Sequence, residues 1–264
     1  MFEIPAHRLP EGFVETVGDP PEDPAPARPA ATVVLLRNGV TGLEVLLMRR
    51  HRSSGFVPGA WVFPGGRVDL ADSGPVLFER LQGLSSRSVP EPSFWTAALR
   101  ELFEETGVLM ARGEDGGWVA AADRRLRRHR RSLLEDEITL GDVLEDLGAR
   151  LDAQHVVHIA HWVTPVVEAR RYDTHFFAAA MPADHEVTPA PREMTDVAWL
   201  TPADALARFQ RGELPMVFPT VKTLESLTPY ASVDHALAAF RDRPVPRLLP
   251  RLVRTDGGVA IVLD

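Results

Sequence analysis

The sequence feature that most constrains the fold is the stretch at residues 100–108, which places three carboxylates within five residues and ends in Gly-Val. If this stretch is helical, Glu101, Glu104 and Glu105 share one face, because residues three and four apart are neighbours on a helix. Like charges at this spacing repel each other, so a purely structural helix gains nothing from them. A hard divalent cation reverses that effect, because Mg²⁺ prefers carboxylate oxygens and often shares its shell with substrate phosphates. The stretch therefore predicts a metal-binding helix, with a solvated acidic helix face as the alternative.

The residues around this stretch favour the metal-binding interpretation. Gly107 stands where a left-handed cap would end the helix. Ala97, Ala98 and Leu102 can form an apolar stripe on the opposite side. Upstream, residues 61–66 form a short apolar run that stops at a Pro-Gly-Gly turn. A strand, a glycine turn and an acidic helix can together form a cradle for a metal ion and phosphates.

Both segments resemble the Nudix hydrolases, whose box reads G-x5-E-x7-R-E-U-x-E-E-x-G-U, where U is a bulky aliphatic residue. Gly66 matches the first glycine, and residues 100–108 match the closing half at every fixed position. Gly66 and Arg100 are 34 positions apart. About twenty residues are therefore inserted, roughly residues 70–90, in a stretch whose Ser, Gly and Pro suit a surface loop. Counted back from Arg100, the middle glutamate of the box falls on Pro92, so that role has no assigned residue.

The chain also resembles one branch of that family, the coenzyme A diphosphatases of peroxisomes and their bacterial relatives, which carry an insertion inside the box. Residues 55–66 are similar to the branch's segment G-F-x-P-G-A-x-V-F-P-G-G. Residues 162–165 and 171–177 are similar to its W-x-T-P and R-x-D-T-x-F-F runs. A second coenzyme A signature is only partly present, because Gly55 stands where its second arginine should be. The resemblance covers about residues 30–230.

The resemblance implies an α+β architecture, the Nudix fold, in which a mixed β-sheet is sandwiched between helices (α/β/α) and carries helical insertions. It divides the chain into a Pro-rich extended leader at 1–30, a Nudix hydrolase domain at 31–230, and a C-terminal helix and hairpin extension at 231–264. Within the domain, insertions are expected at about 70–90 and 111–150. The second insertion is expected to form two short helices packed over the site.

Short patterns predict individual elements. Residues 31–37 and 43–50 are predicted to form two strands, joined by a hairpin turn at Asn38 and the glycine after it. Residues 94–106 are predicted to form the acidic helix. Residues 251–264 hold an Asp-Gly-Gly sequence between two apolar runs, which predicts a terminal hairpin.

The resemblance also implies roles for the residues of the box, with Mg²⁺ or Mn²⁺ as the cofactor. Glu104 and Glu105 would be metal ligands, and Glu101 a ligand or the carboxylate that orients water. Gly66 would offer its backbone carbonyl to the metal. Arg100 completes the catalytic set, because it lies four residues before Glu104 and can hold it by an ion pair. The alternative for this arginine is an ordinary surface pair worth about 0.3–0.5 kcal/mol.

Substrate contacts are expected beside the Pro-Gly-Gly strand. Arg49, Arg50 and Arg52 lie close to this strand in sequence and can meet phosphates. Phe56 can stack on adenine, and Gly65 belongs to the turn itself. The basic run at 124–131 can hold an additional 3′-phosphate, but a solvated helix face is the favoured interpretation.

Two further groups of residues have weaker signals. The family places its general base variably, and Glu193 and His185 are candidates, with plain loop residues as the alternative. His155, His158 and His161 recur every third residue. On a regular strand this spacing places them on alternating faces, which argues against a histidine metal cluster.

The function implied by the resemblance is hydrolysis of the diphosphate of coenzyme A or acyl-coenzyme A. The products would be 4′-phosphopantetheine, or its acyl form, and adenosine 3′,5′-bisphosphate. The incomplete coenzyme A signature leaves open other nucleoside diphosphate derivatives, such as ADP-ribose, NADH or a capped RNA end. A third hypothesis is a Nudix-like regulatory module without turnover, which would have no need to keep all three box glutamates.

The composition and charge argue against several other classes of protein. A net charge of −8 argues against broad nucleic-acid binding. The sequence contains no run of about 18 apolar residues, so no membrane span is predicted. The start of the chain lacks a secretory signal pattern. The chain has no cysteine, which excludes disulfides and thiolate chemistry and suits a cytoplasmic protein. Relatives in the family often form dimers, so the resemblance implies a homodimer as an alternative to a monomer.

Overall fold

A computed structural model describes residues 2–51, 57–84, 90–190 and 194–263. Within these residues the strands β1–β14, in chain order, are Phe2–Pro5, Arg28–Gly39, Gly42–Arg50, Trp61–Val62, Gly65–Arg67, Leu81–Gln82, Ala111–Arg112, Arg150–Asp152, Val156–Val163, Tyr172–Ala180, Met194–Leu200, Arg247–Leu248, Arg251–Thr255 and Gly258–Val262. The helices α1–α8 are Phe13–Thr16, Pro75–Glu79, Pro92–Thr106, Arg124–Leu134, Leu140–Leu147, Pro202–Gln210, Phe218–Leu227 and Val233–Arg241. Across this described part, no helix has both the length and the apolar character to cross a membrane.

The centre of the fold is a mixed sheet with the strand order β11-β3-β2-β10-β9-β12, to which β4 and β5 add. β2 pairs antiparallel with β3 and parallel with β10. Its residues are buried on both faces: Val33 and Leu35 pack with α3, α4 and α5, whereas Val34 and Leu36 pack with α6, α7 and α8. This double burial explains why β2 is apolar without alternation. The α+β sandwich expected from the sequence is confirmed.

The acidic helix is α3, which begins two residues earlier than predicted. Pro92 occupies its first turn, where the missing N–H of proline costs no hydrogen bond. Gly107 ends it in the predicted left-handed cap, with φ at 77° and its N–H donating to the Phe103 carbonyl at 2.8 Å. Leu102 and Phe103 are fully buried against the sheet. Packing of this apolar face fixes the acidic side chains next to β5.

The predicted hairpin of β2 and β3 is present, but its turn is shifted by two residues. Asn38 and Gly39 are themselves paired with β3, and the turn lies at Val40 and Thr41. The Asn38 side-chain oxygen accepts a hydrogen bond from the Val233 backbone N–H at 2.9 Å. The start of α8 therefore uses the residue that the sequence pattern placed in the turn.

The two inserted segments pack against the same face of the central sheet as α3 does. Residues 111–150 contain the two predicted helices, α4 and α5. The second ends at Leu147, because Gly148 takes a left-handed conformation with φ at 60°. The strands β6, β8 and β7 form a small separate sheet in this region.

Both ends of the chain contribute to one small sheet, with the order β1-β14-β13. The hairpin of β13 and β14 is the predicted terminal hairpin. The Pro-rich leader is tied to the rest of the fold at several points. The Arg254 Nε donates to the Val14 carbonyl at 2.7 Å, and the Arg171 Nη1 donates to the Ala25 carbonyl at 2.7 Å.

A β-bulge in β9 changes the direction of its histidines. His161 lies opposite His175, and His158 lies opposite Phe177, so β9 has one residue more than β10 between these pairs. The rings of His158 and His161 consequently both lie beside His175, with centroids 4.9 and 3.8 Å from it. The prediction of alternating faces is wrong for these two histidines, because it assumed a strand without a bulge.

Candidate functional site

Two of the three box glutamates border a cavity of about 990 Å³, next to the glycines of β5. Glu105 is only 3% exposed, and its Oε2 accepts a hydrogen bond from the Gly65 backbone N–H at 3.0 Å. Glu101 lies beside Gly66, where an added Cβ would stand 2.3 Å from the Glu101 Oε1. The structure thus brings the glycine bend and the acidic helix together despite the long insertion between them. We call Glu101, Glu104, Glu105 and the two glycines the carboxylate site.

Arg100 holds the carboxylates of α3 in place. Its Nη1 donates to the Glu101 Oε1 and the Glu104 Oε2, both at 3.0 Å, and its Nη2 donates to the Arg67 carbonyl at 2.8 Å. The side chain is only 8% exposed, so an ordinary surface pair does not describe it. Burial alone would lower the pKa of Arg100, but the hydrogen bond to Asp72 and the charges of Glu101, Asp72 and Glu104 raise it above its usual value. The guanidinium therefore stays charged and fixes two carboxylates.

Asp72 is a functional candidate that the sequence analysis missed. It is fully buried, and its Oδ1 and Oδ2 accept hydrogen bonds from Arg100 Nε at 2.9 Å and Nη2 at 3.0 Å. Asp72 lies six positions after Gly66, where the box pattern places its middle carboxylate. Counting forward from Gly66 finds it, whereas counting back from Arg100 crosses the insertion and reaches Pro92. The insertion therefore begins after Asp72, and an aspartate takes the place of the glutamate.

The inserted helix α4 contacts the end of α3 through Arg130. Its Nε donates to the Glu104 backbone carbonyl at 2.9 Å. Burial lowers the pKa of Arg130, an effect that the charges of Glu105 and Glu104 oppose. The other arginines of the 124–131 run are exposed, and none of the run is among the described residues that line the cavity. For most of the basic run, this placement favours the solvated helix face over a phosphate site.

The substrate-binding candidates near β3 and β4 fall into three groups. Gly65 lines the cavity, as expected. Arg49 is not among the described lining residues, and instead its Nη1 pairs with the Asp196 Oδ2 on β11 at 3.5 Å. Its neighbour Arg50 lines the cavity, because successive side chains of a strand point to opposite sides. Arg52 and Phe56 lie outside the described residues.

The cavity contains a carboxylate that no sequence pattern indicated. Glu168, in the loop between β9 and β10, lines the cavity, and burial raises its pKa. Of the two sequence candidates for the general base, Glu193 lies outside the described residues. His185 is not among the described lining residues, and its Nδ1 lies 3.1 Å from the Ala183 carbonyl. A single acidic residue in a loop has no periodicity or spacing, so only the fold could identify Glu168.

The far end of the cavity is apolar. The ring of Phe2, from β1, stacks on Phe209 at 5.7 Å and meets Phe218 edge-on at 5.4 Å. Trp162 lines the cavity too, and its ring meets that of Phe218 edge-on at 5.5 Å. The cavity therefore joins a negatively charged end, at the carboxylate site, to an aromatic and aliphatic end.

Comparison with known proteins assigns the family. The sequence model of the NUDT19 Nudix domain matches residues 75–227, which is more than half of the chain. This chain belongs to the Nudix hydrolases. The predicted family and its coenzyme A diphosphatase branch are thereby confirmed, and the chain is an enzyme of the Nudix diphosphatase class.

Individual relatives agree with this assignment. The acyl-coenzyme A diphosphatase NUDT19 of Xenopus laevis is 24% identical, over 86% of this chain and 71% of its own length. That of Gallus gallus is 27% identical, over 85% and 72%. A NUDIX hydrolase from Alicyclobacillus acidocaldarius superposes with a TM-score of 0.75 at 29% identity, over 83% of this chain and 99% of its own. The predicted Nudix fold is confirmed by this superposition.

The residues of this Nudix site fit a hard divalent cation. The carboxylate site offers oxygen atoms, from Glu101, Glu104 and Glu105 and from the backbone beside them, and Mg²⁺ and Mn²⁺ prefer such ligands. The space that a Cβ would fill at Gly66 lies against the Glu101 carboxylate. Nudix enzymes generally use a divalent metal, and the oxygen donors of this chain suit that use.

Proposed function

We propose that this Nudix hydrolase cleaves the diphosphate of coenzyme A or acyl-coenzyme A with Mg²⁺ or Mn²⁺ as its cofactor. A water molecule adds to one phosphorus, and the bond from that phosphorus to the bridging oxygen breaks. The products are 4′-phosphopantetheine, or its acyl form, and adenosine 3′,5′-bisphosphate. The observation that carries the proposal is the single cavity that joins Glu101 and Glu105 to an apolar end. The names of the Xenopus and Gallus relatives support the same substrate class.

The charged end of the cavity would bind the diphosphate. A divalent ion held by the carboxylate site would neutralise phosphate charge and lower the pKa of a bound water. Arg100 and the Gly65 N–H fix the carboxylates before substrate arrives, which limits the reorganisation that the reaction requires. Arg50 and Arg67 line the same cavity and can donate hydrogen bonds to phosphate oxygens.

Glu168 is the proposed general base. It lines the cavity that Glu101 and Glu105 border. Burial raises its pKa, which brings a carboxylate closer to the range in which proton acceptance from water is effective. Its role would be to accept the proton that the attacking water loses.

The apolar end of the cavity would bind the arm that carries the thiol or acyl group. Phe2, Phe209 and Phe218 form a contiguous aromatic surface there. Such a surface gains free energy by removing hydrocarbon from water, at about 25 cal/mol per Å² of apolar area. ADP-ribose and NADH have no flexible hydrocarbon arm, so this end favours acyl-coenzyme A over them.

The test is product analysis with the purified full chain. Coenzyme A, a long-chain acyl-coenzyme A, ADP-ribose and NADH are each incubated with Mg²⁺ or Mn²⁺ in ¹⁸O-labelled water, and products are identified by mass spectrometry. We expect kcat/KM for coenzyme A or its ester to exceed kcat/KM for ADP-ribose and for NADH by at least about tenfold. This ratio corresponds to a difference of about 1.4 kcal/mol in activation free energy. Preference for ADP-ribose or NADH would favour the alternative substrates, and absence of turnover with both coenzyme A and its ester would contradict the proposal. Chelator should abolish turnover, and added Mg²⁺ or Mn²⁺ should restore it.

A further inference from the structure

Four polar residues of β9 and β10 converge on one face of the sheet, outside the cavity. They are His158, His161, Asp173 and His175, and we call them the histidine cluster. The neighbouring residues Thr174 and Phe176 line the cavity, whereas no member of the histidine cluster is among its described lining residues. Because side chains alternate along a strand, the cluster faces away from the cavity. The proposed hydrolysis does not use it.

Three members of the cluster present ligand atoms to one point. One nitrogen or oxygen atom from each of His161, Asp173 and His175 lies within 4.8 Å of the others. The His161 Nε2 and the Asp173 Oδ1 are in hydrogen-bond contact. The rings of His161 and His175 stack with centroids 3.8 Å apart and planes 25° apart. Two imidazoles and one carboxylate are a donor set that divalent transition metals accept readily.

The other polar atoms of these ligands are held by neighbours. The His175 Nδ1 lies 2.9 Å from the His158 Nε2. In the tautomer in which His175 donates this hydrogen bond, its Nε2 lone pair is available to a metal. The Asp173 Oδ2 pairs with the Arg247 Nη2 at 3.3 Å. A metal ion would take the place of the contact between the Asp173 Oδ1 and the His161 Nε2. Such outer partners orient histidine and carboxylate ligands in metal sites.

Burial supports the same assignment. His175 is 6% exposed, and Phe94, at the start of α3, packs against its ring at 4.4 Å. Desolvation, together with the neighbouring His161 and His158, lowers the pKa of His175 to about 3, so this imidazole is neutral at physiological pH. Neutral imidazole is the form that binds metal.

We propose that His161, Asp173 and His175 bind a divalent transition-metal ion of the Zn²⁺ type, with water as a fourth ligand. Ligand atoms about 2.0–2.2 Å from a tetrahedral ion lie roughly 3.4 Å apart, so small side-chain rotations suffice to close the site. The ion would tie β9 to β10 beneath the first turn of α3. It would be distinct from the hard cation at the carboxylate site, because imidazole suits Zn²⁺ better than Mg²⁺.

The test is Zn²⁺ titration of the chelator-treated full chain against a fluorescent zinc indicator, followed by Co²⁺ titration with visible absorption. Wild type should bind one Zn²⁺ tightly, and excess Mg²⁺ should not displace it. Asp173→Asn, His161→Ala and His175→Ala should each weaken binding by at least about 100-fold. His158→Ala should weaken it less, by about 10–100-fold, as expected for an outer partner. Failure of wild type to bind Zn²⁺, or an affinity equal to that of wild type in all three ligand variants, would overturn the proposal.

The matched control is His155→Ala. His155 also has a carboxylate partner, with its Nδ1 2.9 Å from the Asp152 Oδ2, but it lies outside the cluster. This variant should bind Zn²⁺ as wild type does, and loss of binding in it would count against the assigned ligands. Circular dichroism identifies variants that fail to fold, and the conservative Asp173→Asn then carries the test. A Glu105→Gln variant should retain Zn²⁺ binding, which separates this proposal from the proposed hydrolysis.

Discussion

The carboxylate site and the histidine cluster both adjoin α3, but they are assembled in different ways. Phe94, near the start of the helix, contacts the histidine cluster, and Glu101 to Glu105 lie two to three turns further along. At 1.5 Å per residue, this is about 10–16 Å along the axis. The carboxylates come from one helix, whereas the cluster comes from two strands brought into register. The first kind of site is readable from spacing in a sequence, and the second requires knowledge of strand pairing.

The largest expected effect comes from removing one carboxylate of α3. Glu104→Gln and Glu105→Gln should each lower kcat by about 10³-fold or more, because a lost metal ligand removes several kcal/mol of transition-state stabilisation. Steady-state kinetics with coenzyme A would measure the loss. The control Glu145→Gln changes an exposed glutamate of α5 and should leave kcat unchanged. Near-normal turnover in both α3 variants would end the metal assignment.

A second way to test the comparison is to remove Asp72, the buried carboxylate that pairs with Arg100. Asp72→Ala should lower the free energy of unfolding by about 3–5 kcal/mol, because it leaves the buried Arg100 guanidinium without its bidentate partner. Urea unfolding measures this change. The control Asp69→Ala removes a half-exposed carboxylate 3.5 Å from the same arginine and should cost less than about 1 kcal/mol. Equal costs in the two variants would show that Asp72 is not the main support of Arg100.

These residues show what the sequence could and could not provide. The acidic helix and its glycine cap follow from local spacing, since i, i+3 and i+4 positions and a left-handed cap depend on neighbours in the chain. The fold class follows from the family resemblance that these motifs carry. Asp72 was missed because the position of the middle carboxylate was counted back from Arg100, and that count crosses the insertion. The count forward from Gly66 does not cross it. The bulge in β9 was missed because it is a property of two paired strands. Glu168 depends on which loop reaches the cavity, which no local pattern specifies.

The proposed base offers a sharper test of the carboxylate site. A raised pKa means that Glu168 gains its proton at higher pH than an ordinary glutamate. If it is the base, kcat/KM should fall as pH decreases through that raised pKa. Glu168→Gln should lower kcat by about 10²-fold or more and remove this acid limb. The control Glu186→Gln alters an exposed glutamate, and an unchanged acid limb in Glu168→Gln would assign the base elsewhere.

The smallest expected effect concerns the apolar end of the cavity. Phe2→Ala removes a ring that contacts Phe209 and Phe218. We expect KM for a long-chain acyl-coenzyme A to rise roughly fivefold, the equivalent of about 1 kcal/mol of lost apolar contact, with less effect on coenzyme A. The control Phe78→Ala changes a phenylalanine that is 40% exposed and is not a described lining residue. Equal changes for both substrates would place the acyl chain elsewhere.

The pairing of β1 with β14 has a consequence for biosynthesis. Phe2 lies opposite Ile261, and both line the cavity. A ribosome therefore has to synthesise everything from residue 2 to residue 261 before this wall of the cavity can form. Contacts between such distant positions form late and slowly. Catalytic competence should accordingly appear only after residue 261 has left the ribosome, even if the central sheet has already condensed on the nascent chain.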